Sequence, residues 1–451
     1  DSDLKKLSGI YSLCGCKQYV VGGYVRNALM GFYNTDCDIA GSLTMCELQP
    51  LLENTPYKPI FQDKKTGTVL IKCGNKSYEY TPFRGEEYET GGKHRPENVK
   101  FHVTLQDDAV RRDFTANAVY YDIEENRITD PLNGVSDINN RVLKAVTSPE
   151  KVMSADGLRI LRLVRIAAEL GFDIDNNLYT ETVKRKYLLE DISAERIKKE
   201  FDKILTADTK YPGMSLNGHV KGINMLIDMG IMEMLFPELL DLKGLAQPAK
   251  YHVYDALDHT LEVFKNSSPD IRLAALLHDV GKAESVKRCG NMHKHAETGA
   301  EIAAVRLRQL KYSNKEINET VRLIENHMYD IDGKTKESKL RLFIVKNYDI
   351  INKQIELKCA DASGKGKPVS GENISEKWRN LLERMKKDGT PFSMKDLKVN
   401  GRDIIFLRPD IEAKDIKTVL QTLFRETVIN PCANCREILL KRIASFKIKK
   451  G

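Results

Sequence analysis

The stretch Val20-Val21-Gly22-Gly23-Tyr24-Val25-Arg26-Asn27, followed by Asp36-Cys37-Asp38, decides how the first third of this chain is read. A short apolar run leads into two glycines, then a basic residue, then two acids one residue apart. Successive side chains of a strand alternate between faces, so Asp36 and Asp38 are expected to point the same way. Two carboxylates on one face suit a pair of Mg²⁺ ions. The glycines let backbone N–H groups approach a triphosphate closely, because no Cβ stands in the way. Together these parts predict two-metal transfer of a nucleotidyl group. A DxD pair alone is common among solvated acids; the GGYVRN run upstream makes it specific.

The chain has 451 residues, enough for two to four domains with a sizeable core. It carries 71 basic and 64 acidic residues, a net charge of +7. That mild excess is compatible with a nucleic-acid partner and equally with a well-solvated surface. No apolar run approaches a membrane span and no secretory leader is visible, so a cytoplasmic location with no membrane partner is expected. The nine cysteines include a CxC (Cys14, Cys16) and a CxxC (Cys432, Cys435) at opposite ends of the chain. They read as reduced thiols rather than disulfides or a zinc site.

Along the chain, Thr68–Lys72 and Ser77–Thr81 flank Gly74-Asn75 and predict a hairpin. Gly85 to Gln106 is polar and reads as a loop, and Asn117–Tyr121 as a further strand. After about residue 150 the pattern turns helical. Leu158, Leu161, Val164, Ile166, Ala167 and Leu170 recur near helical spacing until Gly171, and Ala194–Leu205 forms a second, charged helix. The remainder reads as helices, with histidines between 250 and 365.

Further residues carry chemistry. Glu79 could complete a metal site or be an ordinary exposed strand residue. In Arg111-Arg112-Asp113-Phe114-Thr115-Ala116-Asn117, the arginines suit phosphates, and Asp113 suits either a ribose hydroxyl or the cap of a helix. Asp156 and Arg159 sit three apart on a predicted helix. An acceptor beside a donor fork can read the Watson–Crick edge of cytosine or adenine, although the same spacing also gives plain surface ion pairs.

The segments VVGGYVRN, DCD, YEYTPFR, RRDFTANAV, ADGLRILRLVRIAAELGF and ERIKKEF resemble, in order and spacing, the bacterial class II tRNA nucleotidyltransferases. That family contains CCA-adding enzymes and poly(A) polymerases. The resemblance is strong over about the first 210 residues and looser beyond. It implies an α+β fold: a nucleotidyltransferase head with a small mixed sheet (1–140), then an all-helical neck (141–210), body (211–365) and tail (366–451). It places Mg²⁺ on Asp36 and Asp38; Glu79 is expected beside them as a third catalytic acid from its place on the strand. It places the nucleotide on Gly22, Gly23, Arg26, Arg111, Arg112, Asp113, Asn117, Asp156, Arg159, Arg162 and Arg165. Two positions depart from the pattern: Asn27 stands where an acid is usual, and Ala155 where a Glu is usual. The second departure is expected to loosen Arg159 and base choice.

The implied activity is addition of CMP, CMP and AMP to the tRNA 3′ end from CTP and ATP, with no obligate protein partner. The full polar segment 85–106 favours complete CCA over CC-only synthesis. The rival readings are a poly(A) polymerase or A-adding enzyme of the same fold. The acceptor stem would be bound by charge and shape, with Lys414, Lys417, Arg436, Lys441 and Arg442 of the tail as candidates or as solvated helix faces.

His259, His278-Asp279, His295, His327 and Asp361 form a second set. Imidazole with carboxylate suits transition metals or Mg²⁺. The pattern resembles the HD phosphohydrolases, whose ligands would fall on these residues and hold a second divalent metal (Mn, Ni, Fe or Mg). A third rival follows, an HD phosphohydrolase whose N-terminal half binds RNA.

Overall fold

The computed structural model describes residues 2–33, 37–63, 65–87, 98–248, 253–366 and 371–447. They form two compact units, Asp1–Leu235 and Phe236–Gly451. Among the described residues no helix is long and apolar enough to cross a membrane.

The first unit is built on a seven-stranded mixed sheet. Its strands are β1 (Gln18–Val21), β2 (Asp38–Gly41), β3 (Lys58–Asp63), β4 (Thr68–Cys73), β5 (Lys76–Pro82), β8 (Tyr120–Asp122) and β9 (Arg127–Thr129), with β6 (Arg84–Glu87) and β7 (Asn98–Phe101) forming a separate two-stranded ribbon. The order is β3-β4-β5-β2-β1-β8-β9, with β2 and β5 parallel and the other pairs antiparallel. The β4–β5 hairpin is as the sequence predicts. The segment 85–106 differs from its reading as a loop: both ends are ordered, as the β6–β7 pair and the start of the Leu105–Val110 helix. Residues 88–97 lie outside the described residues, as does Asp36. The strand expected at Asn117–Tyr121 begins three residues later. Thr115–Asn117 is a 3₁₀ turn, because Asp113 and the Lys144 carbonyl take the polar groups around it.

The helical part of this unit centres on Leu158–Leu170, in which all but Arg162 are buried. Its apolar positions are covered by neighbouring helices, while its buried charged residues are met by polar partners. Ala194–Leu205 and Gly218–Asp228 pack against it. It ends where Gly171 takes φ +69°, a left-handed cap that glycine adopts without a Cβ penalty. Gly218–Asp228 belongs to this packing, and the first compact unit runs to Leu235.

The second unit is helical among its described residues. One core joins Val263, Ala274, Ala275, Leu323 and Leu357. A second gathers around the buried Trp378, whose Nε1 donates to Asp330 at 2.9 Å. The Gly371–Lys387 helix packs through it onto Ile351–Ser363. A third core, from Leu397 to Ile443, organises the last helices. All nine cysteines are free, and among the described residues none joins a metal-ligand cluster.

Candidate active site and metal centre

Register places Asp38 opposite Val21 on β1 and beside Glu79 on β5, so Asp38 and Glu79 share one face of the sheet. Gly22, between β1 and the Gly23–Leu29 helix, has φ +80°. A Cβ there would stand 3.4 Å from Asp38 Oδ2. The turn therefore brings backbone against the acid at a conformation that suits glycine. Asp38 lines a cavity of about 590 Å³ with Gly22, Gly23, Arg26, Arg111, Arg112, Asp113, Asn117, Asp156, Arg159, Arg162 and Arg165. Of the predicted head and neck residues, only Glu79, exposed on its strand, is absent from this lining, and Asp36 is outside the described residues. Ten basic side chains line the cavity against four acidic ones, a charge balance suited to a polyphosphate.

Specific partners, local and distant, hold the arginines of this cavity. Arg111 donates to Asp108 Oδ1 at 2.8 Å, and Arg112 to Asp108 Oδ2 at 2.8 Å; the Tyr120 hydroxyl donates to the same oxygen at 2.6 Å. Burial opposes the charge of Asp108, yet Arg112 and Arg111 hold its carboxyl well below the usual carboxylate range. Sequence reasoning missed Asp108, although its spacing of three and four to the arginines was a readable signal.

Asp113 is not left open for a ribose hydroxyl. Its Oδ1 accepts from the Phe114 amide (2.8 Å) and Asn117 Nδ2 (2.9 Å), and its Oδ2 from Arg162 Nε (3.0 Å). Burial works against its charge, but Arg162 and the Asn117 bond hold it far down. Asp113 is thus an organiser of Arg162 and Asn117. Arg165 is likewise engaged, donating to Glu200 at 2.6 Å and to Glu169 at 3.1 Å in a buried network.

Asp156 and Arg159 both face the cavity but do not share one helix. Asp156 sits at the break between Pro149–Ala155 and Leu158–Leu170, where its Oδ1 accepts from the Leu158 amide at 3.0 Å. Its Oδ2 accepts from Arg196 at 3.0 Å. Arg159 donates to the Val152 carbonyl at 3.1 Å and the Arg111 carbonyl at 2.6 Å. Main-chain carbonyls therefore orient Arg159, although Ala155 supplies no carboxylate. Asn27, the other departure, is buried. Its Oδ1 accepts from Arg26 at 2.8 and 3.1 Å while its Nδ2 donates to the Tyr211 hydroxyl at 2.9 Å. A carboxylate could accept from Arg26 but could not donate to Tyr211. Arg84, Arg196, Lys203, Lys210 and Tyr211 also line the cavity and were missed; Arg84 and Arg196 lie within YEYTPFR and ERIKKEF, segments that carry the family pattern and were the available signal.

In the second unit the six predicted residues converge, all buried, as two clusters: His259, His278 and Asp361, then Asp279, His295 and His327. Asp279 joins them. Its Oδ2 lies 3.2 Å from His278 Nε2 and 3.5 Å from His259 Nε2, and its Oδ1 lies 3.2 Å from His295 Nε2 and 3.7 Å from His327 Nε2. His259 Nε2 is 3.1 Å from Asp361 Oδ1. Every one of these histidines turns its Nδ1 to a main-chain carbonyl: Gly364 (3.1 Å), Ala275 (2.8 Å), Met292 (2.7 Å) and Ile324 (2.6 Å), respectively. That selects the tautomer with its lone pair on Nε2, facing inward. Burial, with His295 alongside, pushes His327 down to about 3, which keeps it neutral and able to ligate. Beyond its 3.2 Å approach to Asp279, the buried Nε2 of His278 meets no hydrogen-bond partner among the described residues. An inward set of imidazole nitrogens around a shared carboxylate fits a divalent cation. His293, adjacent in sequence, is exposed and stands outside the site.

Of the basic tail residues expected to meet RNA, Lys414, Arg436 and Arg442 are paired with Glu412, Asp403 and Glu426 at 2.6–2.7 Å.

Three family models match the chain: the poly A polymerase head domain over residues 18–144, the probable RNA and SrmB-binding site of polymerase A over 171–242, and the HD domain over 254–354. The chain is 41% identical over 215 residues to a CCA-adding enzyme of Streptococcus suis, covering 48% of this chain and 52% of that one. A CCA-adding enzyme of Streptococcus sanguinis is 34% identical over 294 residues, 65% of this chain and 69% of the relative. The chain thus spans about half the length of the first relative and over two thirds of the second. Its fold is similar to that of a Bacillus stearothermophilus CCA-adding enzyme in complex with CTP, with a TM-score of 0.70 and 23% identity over 98% of this chain and 96% of that one. A Thermotoga maritima CCA-adding enzyme complexed with tRNA matches with a TM-score of 0.59 and 18% identity over 98% and 95%.

Proposed function

The chain belongs to the CCA-adding enzyme family, and from that premise we propose that it adds CMP, CMP and AMP to the 3′ end of tRNA, taking CTP and ATP without a nucleic-acid template. The observation that carries this reading is the single cavity in which Asp38, the Gly22 turn, the anchored arginines and the Asp156–Arg159 pair all meet.

The 3′-hydroxyl of the RNA attacks the α-phosphorus of the nucleotide, a new P–O bond forms, and pyrophosphate leaves. Arg111 and Arg112 each keep N–H groups beyond those given to Asp108, and these meet the triphosphate. Asp156 retains lone pairs beyond those used by Leu158 and Arg196, so it can accept from the exocyclic amine that cytosine and adenine share. Arg159 keeps donors for the adjoining ring nitrogen or carbonyl. Asp38, with Asp36, would hold Mg²⁺, which lowers the cost of the charge that develops on attacking and leaving oxygens.

The test is incorporation of labelled CTP and ATP into tRNA ending at the discriminator base. Ordered addition of C, C and A is expected. A tails without C, or A added only to tRNA already ending in CC, would replace this reading by a poly(A) polymerase or an A-adding enzyme. Asp156→Ala is expected to lower discrimination of CTP over UTP by about 10- to 100-fold, the scale of one bidentate base contact. Competing incorporation of the two nucleotides measures it.

A second reading is favoured by the inward Nε2 atoms: the second unit holds divalent metal and hydrolyses a phosphoester there. Asp279 belongs to one cluster and reaches His259 and His278 of the other through Oδ2, so Asp279→Ala is expected to lower metal uptake below the wild-type level by the share the second unit holds, whereas His259→Ala removes one cluster's ligand and leaves Asp279, His295 and His327. Metal content of the full chain after equilibration with Mn²⁺ checks this. Equal uptake by wild type and Asp279→Ala would remove the reading.

A further inference from the structure

The last 57 residues hold 13 Lys and Arg against 7 Asp and Glu, so residues 395–451 account for +6 of the chain's +7. Within them the Gly401–Leu407 helix buries Ile404 in the tail core, with Leu407 packed against that core, and turns another face outward. On that face Phe406 is 86% exposed and Ile405 54% exposed. Arg402 stands one turn before them at spacings of three and four, which places all three side by side. Its guanidinium is exposed, and among the described residues it has no hydrogen-bond or ion-pair partner, unlike Arg408, Arg436 and Arg442 nearby in sequence.

An exposed phenyl ring is costly in water, and a free guanidinium beside it gives no internal compensation. A nucleobase satisfies both: its face stacks on the aromatic ring while the flanking phosphate meets the cation. We infer that Arg402, Ile405 and Phe406 form a stacking platform for an unpaired base of the RNA substrate. The proposal rests on the tRNA reading above and deepens it. Duplex RNA is bound by shape and backbone charge, whereas a flat aromatic platform requires a base that is splayed out of its helix. The concentrated positive charge of this segment argues for RNA over a second copy of the chain, which would bring the same charge against itself.

The test uses the full chain. Phe406→Ala is expected to raise the KM for tRNA about tenfold, the scale of one base–aromatic stack, with kcat and the KM for CTP unchanged. Phe406→Trp should restore the KM, and its new indole should be quenched by added tRNA; the one native tryptophan, Trp378, is buried. Arg402→Ala should raise the KM in the same direction and flatten its salt dependence. Because Phe406 is exposed, unchanged thermal melting is expected for each variant. Wild-type binding of tRNA with an unaltered Phe406→Ala variant and no quenching overturns the platform while leaving the transferase reading intact. Loss of a concentration-dependent dimer in Phe406→Ala without any change toward tRNA assigns the face to a second copy and likewise overturns it. Failure of the wild type to bind tRNA strikes the transferase reading itself.

Discussion

Asp38→Ala is expected to cut CMP incorporation by at least about a thousandfold, or ~4 kcal/mol in the activation barrier, while leaving the melting temperature nearly unchanged. The two halves of this expectation have separate causes. Asp38 is exposed at the start of β2, so its carboxylate contributes little to folding; surface substitutions of this kind usually shift stability by no more than about 0.5 kcal/mol. Its position against the Gly22 turn, within the cavity, is where the proposed transfer would change charge as the P–O bond forms and breaks. Single-turnover incorporation into tRNA measures the first effect and thermal unfolding the second. Retention of a tenth or more of the wild-type rate would remove Asp38 from the catalytic group. Glu79→Ala makes the sharper comparison. Glu79 shares the face with Asp38 but does not line the cavity, so its loss is expected to have a much smaller effect.

Asp108→Ala is expected to be the most destabilising single change in the first unit, by about 3–5 kcal/mol, because it strands two cationic side chains beside a site from which their shared anion has gone. Arg111, Arg112 and the Tyr120 hydroxyl all turn to that one buried carboxylate. Asp108→Asn keeps the shape and an acceptor oxygen, so a smaller loss is expected. Urea unfolding of both variants checks the order. The pH dependence has a definite sign. The folded-state pKa of Asp108 is depressed below its unfolded value by Arg112 and Arg111, against the opposing effect of burial. The stabilisation is therefore complete above the unfolded carboxylate pKa of about 4 and is lost as pH falls through the folded value. Asp113, depressed in the same way by Arg162, adds to this acid sensitivity. In the alanine variant, stability should fall less steeply below pH 4 than in the wild type. The KM for CTP should also rise, since the arginines proposed to meet the triphosphate lose their anchor.

The chemistry of both sites was readable because it is local. A double glycine, a DxD, an RRD and an HD pair announce themselves within a few residues, and their side-chain types limit what they can bind. The β4–β5 hairpin and the Leu158–Leu170 helix were equally plain, since period and turn residues agree there. The strand placed at Asn117 was not, because Asp113 and Lys144 draw the backbone into a 3₁₀ turn before β8 begins.

Residue type and spacing pointed to two-metal nucleotidyl transfer, and the resemblance those motifs carry supplied the head joined to a helical half with a histidine–aspartate centre. Which residue answers which was settled only in three dimensions. Asp156 appeared to face Arg159 three positions on, yet it meets Arg196, 40 residues away; Asp113 meets Arg162, 49 away, and Arg26 meets Asn117, 91 away. The reason is physical. A buried charge must be matched by whatever partner packing brings beside it, and that choice depends on desolvation across the assembled core. The same holds in the second unit, where four separate main-chain carbonyls set the tautomers and aim every Nε2 at one carboxylate.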